Sequence, residues 1–229
     1  MARKPFSNST RKSFGKLSKT NKPSPSKVTE IGQAGRKSLR IIAGGWRGRK
    51  IPFATVAGLR PTQDRVRETL YNWVADRVLG ANCLDLYAGT GALGLEALSR
   101  GASNVDFVEL SGIAASTLKE NLKALPLEGT QSVNVAQMSS FDWIRSQTSR
   151  SDQAGIKTYD LVLLDPPFAL ALMQDTLDAL FESKCLAANA AVYLEQAQPL
   201  TQLVLPEGWA LHRSKKAGQV FYGLITKKP

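Results

Sequence analysis

From residue 83 onward, short apolar runs of strand length alternate with longer stretches in which apolar side chains recur every three or four positions. The first pattern is that of strands and the second that of amphipathic helices. Strands are predicted at 83–87, 105–110, 133–137, 159–165 and 191–195, and helices at 92–99, 113–125, 141–147 and 169–181. Leu161-Val-Leu-Leu164 is apolar at every position, which fits a parallel sheet covered on both faces. Strands and helices in this rhythm predict a doubly wound α/β sheet with right-handed crossovers. The end of the chain breaks the rhythm. Only Ala217-Gly218 separates 209–216 from 219–226, too little for a crossover helix, so these two strands are expected to form an antiparallel hairpin.

Ahead of the sheet, β-prone runs at 39–43 and 46–53 flank Gly44-Gly45, which predicts a hairpin with Arg40, Arg47, Arg49 and Lys50 on its polar face. Val66, Leu70, Trp73 and Val74 then fall at helical spacing, with Thr62 as the expected N-cap and an end near Leu79. Residues 1–36 are rich in Ser, Thr, Asn, Pro, Lys and Gly, with isolated apolar residues, and are expected to be a disordered basic tail. The expected organisation is thus a tail over 1–36 and one domain over 37–229 that includes the hairpin at 39–53.

Charge sharpens this picture. The net charge of +11 is concentrated at the front: residues 1–38 hold ten basic side chains and one acid, residues 39–75 seven and two, and the remainder thirteen and sixteen. A basic front end on a mildly acidic body points to a polyanionic partner, because each Lys or Arg that neutralises a phosphate releases counterions, although for residues 1–30 a solubilising tail explains the charge equally well. Cys83 and Cys185 lie far apart in apolar runs, the pattern of buried reduced thiols in the cytoplasm rather than of a disulfide framework. No run approaches the roughly 20 apolar residues of a membrane span, and the lone His212 has no Cys or His cluster with which to bind a metal.

Two motifs carry the chemistry. Asp85-Leu-Tyr-Ala-Gly89-Thr-Gly91-Ala-Leu-Gly94 lies between the first parallel strand and its helix. Glycines there let a backbone approach a ligand and present helix N-terminal amides, while Glu109, about 20 residues on, is placed to bind ribose hydroxyls. Such a turn serves a nicotinamide cofactor as well as S-adenosylmethionine. Asp85 favours the latter, since a carboxylate at the strand end holds an ammonium group and repels a pyrophosphate. The second motif, Asp165-Pro166-Pro167-Phe168, follows the apolar strand. Two prolines stop the ladder and aim the Asp165 carboxylate and the Pro166 carbonyl into the crevice at the carboxyl ends of the strands. Acceptors facing an exocyclic amine can free its delocalised lone pair for in-line attack on a sulfonium methyl, and Phe168 offers a ring on which a base can stack. Among the four tryptophans, Trp46, beside Arg47 and Arg49, is the best candidate for RNA contact, although packing is the usual role.

Asp85 to Gly94 and Asp165 to Phe168 resemble motifs I and IV of amino-group methyltransferases acting on nucleic acids. More specifically, Arg40-Ile-Ile-Ala-Gly-Gly-Trp-Arg-Gly-Arg-Lys50, Gly58-Leu-Arg-Pro-Thr62, Asp64-Arg-Val-Arg-Glu-Thr-Leu-Tyr-Asn-Trp73, Gly91-Ala-Leu-Gly-Leu-Glu-Ala-Leu-Ser-Arg-Gly101 and Ala217-Gly-Gln-Val220 resemble the 16S rRNA guanine-N2 methyltransferase family of the RsmD type. The resemblance runs from about residue 39 to 226 and leaves the tail outside. It implies a Rossmann-like class I methyltransferase sheet whose last strand is antiparallel and inserted. It also implies that Asp85, Gly89 and Gly91 line the methionine end of the cofactor, that Glu109 binds its ribose, and that the adenine pocket lies around Gln137, Met138 and Ser139. Asp165 and Phe168 would hold the target base, with Thr62 and Arg60 bordering the transfer site.

The expectation is therefore a monomeric, cytoplasmic, metal-free enzyme that methylates guanine N2 in small-subunit ribosomal RNA, within the assembled or assembling subunit. Arg40, Arg47, Arg49, Lys50 and Arg60 would contact the RNA. The competing readings are an adenine-N6 or other nucleic-acid amino-methyltransferase, and a non-enzymatic RNA-binding assembly factor.

Overall fold

The structure, a computed structural model, describes residues 37–54, 56, 61–148 and 157–228. The N-terminal tail and Arg60 lie outside the described residues. A small antiparallel pair, β1 (Ser38–Arg40) and β2 (Lys50–Pro52), precedes helix α1 (Asp64–Trp73). Then follow β3 (Asn82–Asp85), α2 (Ala92–Ser99), β4 (Asn104–Glu109), α3 (Gly112–Ala124), β5 (Ser132–Gln137), α4 (Ser140–Thr148), β6 (Tyr159–Leu164), α5 (Met173–Glu182), β7 (Leu186–Gln196), β8 (Trp209–Ala217) and β9 (Val220–Lys227). The large sheet has the order β5-β4-β3-β6-β7-β9-β8. Its first five strands are parallel, and β9 is antiparallel to both of its neighbours, β7 and β8. The doubly wound sheet and its inserted antiparallel last strand are as the sequence predicts.

Period-two alternation divides the core into two layers. Cys83, Phe107, Leu161, Leu163 and Tyr193 point to one face, where they pack with Leu70 and Tyr71 of α1, Leu95 of α2 and Leu118 of α3. Leu84, Val108, Val162, Leu164 and Leu194 point to the other, against Trp143 of α4 and Leu177 and Leu180 of α5. Both cysteines are free and buried, and burial pushes both thiols up.

Four boundaries differ from expectation, each for a local reason. The front hairpin is real, but its strands are only three residues long, with pairing Leu39↔Ile51. The backbone beyond them turns away to other acceptors: Ile42 and Ala43 N–H donate to the Glu96 carboxylate at 2.8 and 2.9 Å, and Gly45 N–H donates to the Ser99 carbonyl at 2.7 Å. Gly44 approaches so closely that a Cβ there would meet the Ser99 oxygen at 1.7 Å. Helix α1 starts after Gln63, not Thr62, and gives way to turns after Trp73. Helix α5 starts at Met173 rather than 169, because Phe168–Leu170 form a 3-10 turn and Ala171 takes a left-handed φ of 50°. Strand β7 begins five residues earlier than its apolar part, through an irregular register with β6 after Tyr159↔Leu186.

Trp46 is a further correction. It is buried in the α1 side of the core, and its indole N–H donates to the Pro126 carbonyl at 3.2 Å, so it packs the hairpin onto the domain instead of facing RNA.

Glu96 joins the front of the chain to the sheet. Besides the two hairpin amides, its carboxylate pairs with Arg100 Nε at 2.9 Å and with the fully buried Arg67 of α1 at 3.4 Å. Arg67 also donates to the Arg40 carbonyl and to Asp64. Removing one member of a buried ion pair strands the other charge away from water. Glu96→Ala is therefore expected to lower the unfolding free energy by about 3–5 kcal/mol, measured by urea denaturation. A loss within the scatter of surface substitutions would contradict this role.

Candidate active site

Four strands end in the same way. Cys83-Leu-Asp85, Phe107-Val-Glu109, Leu163-Leu-Asp165 and Tyr193-Leu-Glu195 each place an acid two positions beyond an inward residue of the α1 layer. Alternation carries all four carboxylates to the same face, at the carboxyl ends of the adjacent strands β4, β3, β6 and β7. The register supports this: Asp85 pairs with Leu163, and Leu164 with Leu194, so Asp165 and Glu195 lie one step further, side by side.

Each acid has fixed partners. Glu109 accepts Gly89 N–H at 2.7 Å and Ser111 N–H at 2.6 Å, which locks the glycine turn to the next strand. Asp85, 2% exposed, accepts Gly94 N–H at 2.9 Å. The Thr62 hydroxyl donates to Asp165 Oδ2 at 3.2 Å and also lies against the Glu195 carboxylate. Glu195, 4% exposed, accepts the Tyr193 hydroxyl at 2.9 Å. Burial is the main electrostatic effect. It pushes Asp85 up to about 7, against the Gly94 hydrogen bond and with help from the Asp165 and Glu109 charges. Burial likewise pushes Asp165 up to about 7 despite the Thr62 hydrogen bond, and raises Glu195 well above the usual carboxylate range with the Asp165 charge adding to it. The crevice is a partly to fully buried acidic row that favours cationic or hydrogen-donating occupants.

The glycine turn borders this row. Gly89 and Gly91 adopt φ of 54° and 77°, left-handed values that favour glycine. A Cβ on Gly91 would also meet Leu118 Cδ1 at 2.6 Å. The free amides of α2 begin there. On the other side of Asp165, Pro166 is buried and Phe168 is half-buried in the 3-10 turn, which lines a cleft of about 280 Å³ together with Gln174, Gln196 and Leu203. A larger hollow of about 400 Å³, against α1 and β8, includes His212 and Arg213 and none of the four acids.

The structure thus brings Asp85, Gly89, Gly91, Glu109, Asp165, Pro166 and Phe168 to one end of the sheet. Met138, 37% exposed, follows β5 beside Glu109, whose carbonyl accepts its N–H at 3.2 Å. The exposed Arg47 and Arg49 are elsewhere: their loop packs on Ser99, at the end of α2 opposite the glycine turn, and Arg40 and Lys50 pair across β1 and β2 beside it. Glu195 was missed from the sequence, although its Tyr-Leu-Glu strand end repeats the form of the other three. Thr62 does not cap α1; its hydroxyl donates to Asp165, in line with the position beside the transfer site that the resemblance implies. Among the described residues no group of three His, Cys, Asp or Glu is arranged to hold a metal ion, and no helix is long and apolar enough to cross a membrane.

The sequence profile of the family described as Conserved hypothetical protein 95 matches residues 39–226. This chain belongs to that family, the RsmD type of the motif comparison. A family relative, ribosomal RNA small subunit methyltransferase D of Escherichia coli strain K12, is 40% identical over 195 residues, covering 85% of this chain and 93% of its own length. The protein of the same name from Haemophilus influenzae is 42% identical over 186 residues, covering 81% and 92%. The solved structure of yhhF from Escherichia coli is 40% identical, with a TM-score of 0.70, and covers 84% of this chain and 99% of that one. The protein is accordingly an S-adenosylmethionine-dependent methyltransferase of Rossmann-like class I fold.

The crevice fits that cofactor, which carries an ammonium and a sulfonium charge and a ribose diol. Asp85 is a buried carboxylate beside the glycine turn, and Glu109 is held rigidly by two amides with lone pairs to spare. A direction of pH dependence follows. The folded value of Asp85, about 7, exceeds its ordinary 3.8, so between them the folded chain retains a proton that the unfolded chain gives up. The ligand-free protein should therefore lose stability as pH rises through that window. Cofactor affinity should rise over the approach to pH 7, because the ammonium binds the ionised acid. Calorimetric titration across pH, with Asp85→Asn flattening the slope, checks this. A pH-independent affinity for the parent protein would contradict it.

Proposed function

We propose that this protein transfers the methyl group of S-adenosylmethionine to the exocyclic N2 of a guanine in small-subunit (16S) ribosomal RNA. The observation that carries the reading is the Asp165 carboxylate, fixed by Thr62 and the following prolines one strand away from Asp85 and the cofactor turn. The names of the relatives, ribosomal RNA small subunit methyltransferase D, supply the RNA class.

The cofactor supplies an electrophilic methyl on a sulfonium. The chain does the rest by position. Asp85, Gly89 and Gly91 hold the methionine end, Glu109 the ribose, and the segment around Met138 borders the adenine. Asp165 and the Pro166 carbonyl accept hydrogen bonds from the amino group of a flipped guanine, which turns its lone pair toward the methyl, and Phe168 stacks on the ring. When the N–C bond forms, the S–CH₃ bond would break to leave a neutral thioether, and the nitrogen would give up one proton to the ionised Asp165 carboxylate. A carboxyl raised to about 7 accepts that proton more readily than an ordinary aspartate would.

Incubation with labelled S-adenosylmethionine and small subunits lacking base methylation, followed by nucleoside mass spectrometry, is expected to yield N2-methylguanosine. Asp165→Ala should lose activity by about 100-fold or more, with cofactor affinity nearly unchanged. Methylated adenine in the product would overturn the guanine assignment.

We further propose that Arg40, Arg47, Arg49, Lys50 and Arg60 contact RNA phosphates. Helix α2 separates the Arg47 loop from the crevice by about 12 Å at 1.5 Å per residue. A substrate engaging both ends must span that distance, and the assembled or assembling small subunit is the substrate we propose, in keeping with the names of the relatives. Arg47→Glu with Arg49→Glu is expected to raise KM several-fold, weaken its salt dependence and leave kcat intact. An unchanged KM at physiological salt would remove these residues from the interface.

A further inference from the structure

We propose that Glu195 is a specificity-determining residue that accepts the N1–H of the target guanine beside Asp165, so that two carboxylates on adjacent strands read two neighbouring donors of one base. The inference rests on the guanine reading above and deepens it.

Guanine presents N1–H and N2–H₂ as adjacent donors on its Watson–Crick edge. Adenine presents an amino group beside N1, which is an acceptor. A single carboxylate at the amino group does not distinguish them. A second carboxylate at the N1 position does, because adenine would bring an acceptor against an acceptor in a site closed to water. Sites built to hydrogen-bond a particular donor reject analogues lacking it far more strongly than apolar pockets reject a change of shape.

The placement of Glu195 supports this role. Neighbouring strands are about 4.8 Å apart, close to the span two carboxylates need to meet adjacent donors on one ring edge. Asp165 and Glu195 stand at neighbouring positions of β6 and β7, with the Thr62 hydroxyl between them. The groups facing Glu195 are Asp165 and Asp85 from the adjoining strands, Tyr193 on its own strand, Tyr222 opposite on β9, and Thr62 ahead of α1. None is a cation. Tyr193 satisfies Oε1 at 2.9 Å, but a buried carboxylate that merely filled the core would be expected to have a Lys or Arg partner, as Glu96 does. Among the described residues Glu195 is a buried acid without a salt bridge, next to the residue proposed to hold the reacting nitrogen.

The test uses the full chain and small subunits lacking base methylation. It measures kcat, KM, cofactor affinity, the pH profile and the modified nucleoside for the parent, Glu195→Ala and Glu195→Gln. Glu195→Ala is expected to lose about 100-fold or more in kcat/KM while binding S-adenosylmethionine as the parent does. Glu195→Gln keeps a carbonyl for N1–H and should recover part of the loss. It also removes a like charge beside Asp165, so the acidic limb of its profile should move to lower pH. Parent-like kcat/KM in Glu195→Ala, or an unmoved acidic limb in Glu195→Gln, would overturn the inference even with N2-methylguanosine as the parent's product. If Glu195→Ala loses its fold and cofactor binding, the near-isosteric Glu195→Gln decides alone. A parent enzyme that makes a different methylated base would overturn the guanine reading and this inference with it.

Discussion

Four carboxylates at the ends of four adjacent parallel strands, on one face and largely out of water, impose the central constraint on this molecule. Two such charges about 5 Å apart repel by roughly 3 kcal/mol at an effective dielectric near 20, and desolvation adds to that cost. The crevice tolerates them through directed donors, from the amides of Gly89, Ser111 and Gly94 to the hydroxyls of Thr62 and Tyr193, while burial raises Asp85 and Asp165 to about 7. A cofactor with two positive charges and a base with a donor edge relieve that strain at successive points along the row. On the proposed reading, the order of the strands would be the order of the ligand: ribose at β4, ammonium at β3, target amine at β6 and ring N–H at β7.

The front of the chain takes part in this arrangement without supplying a catalytic group. The hairpin amides and Arg67 converge on Glu96, which fixes α1 over the sheet. Fixing α1 fixes Thr62 just before it, and Thr62 holds Asp165. A path of hydrogen bonds therefore leads from the basic hairpin at one end of α2 to the proposed base pocket at the other. Tyr71, deep in the same layer, donates to the Leu93 carbonyl and steadies the first turn of α2, next to the glycine turn.

Much of this was legible in the chain. Unbroken apolar runs such as Leu161 to Leu164 announced a covered parallel sheet, and the two motifs located the crevice. Context-dependent features were not legible. The resemblance put Thr62 beside the transfer site, but its residue type reads as a cap, and only the position of Asp165 shows which partner its hydroxyl takes. Trp46 lies between arginines, yet the Pro126 carbonyl and the α1 layer draw it inward. The hairpin strands are short because Glu96 and Ser99 compete for their amides, a contact more than fifty residues away in sequence. Glu195 was readable in principle, from the parity of Tyr193-Leu-Glu195. Parity becomes informative only when the strand is known to lie beside β6.

The distribution of charge completes the argument. The exposed basic residues of the hairpin attract phosphates, while the acid row repels them. An RNA drawn to the outside cannot slide its backbone into the crevice, since every phosphate would face carboxylates with no counter-charge. A neutral base with donors on its edge meets no such barrier, and one that leaves its stack can enter alone. On the proposed reading, the acids that would hold the cofactor would also filter what reaches it, and a strongly basic protein would keep its reaction centre free of the polyanion on which it works.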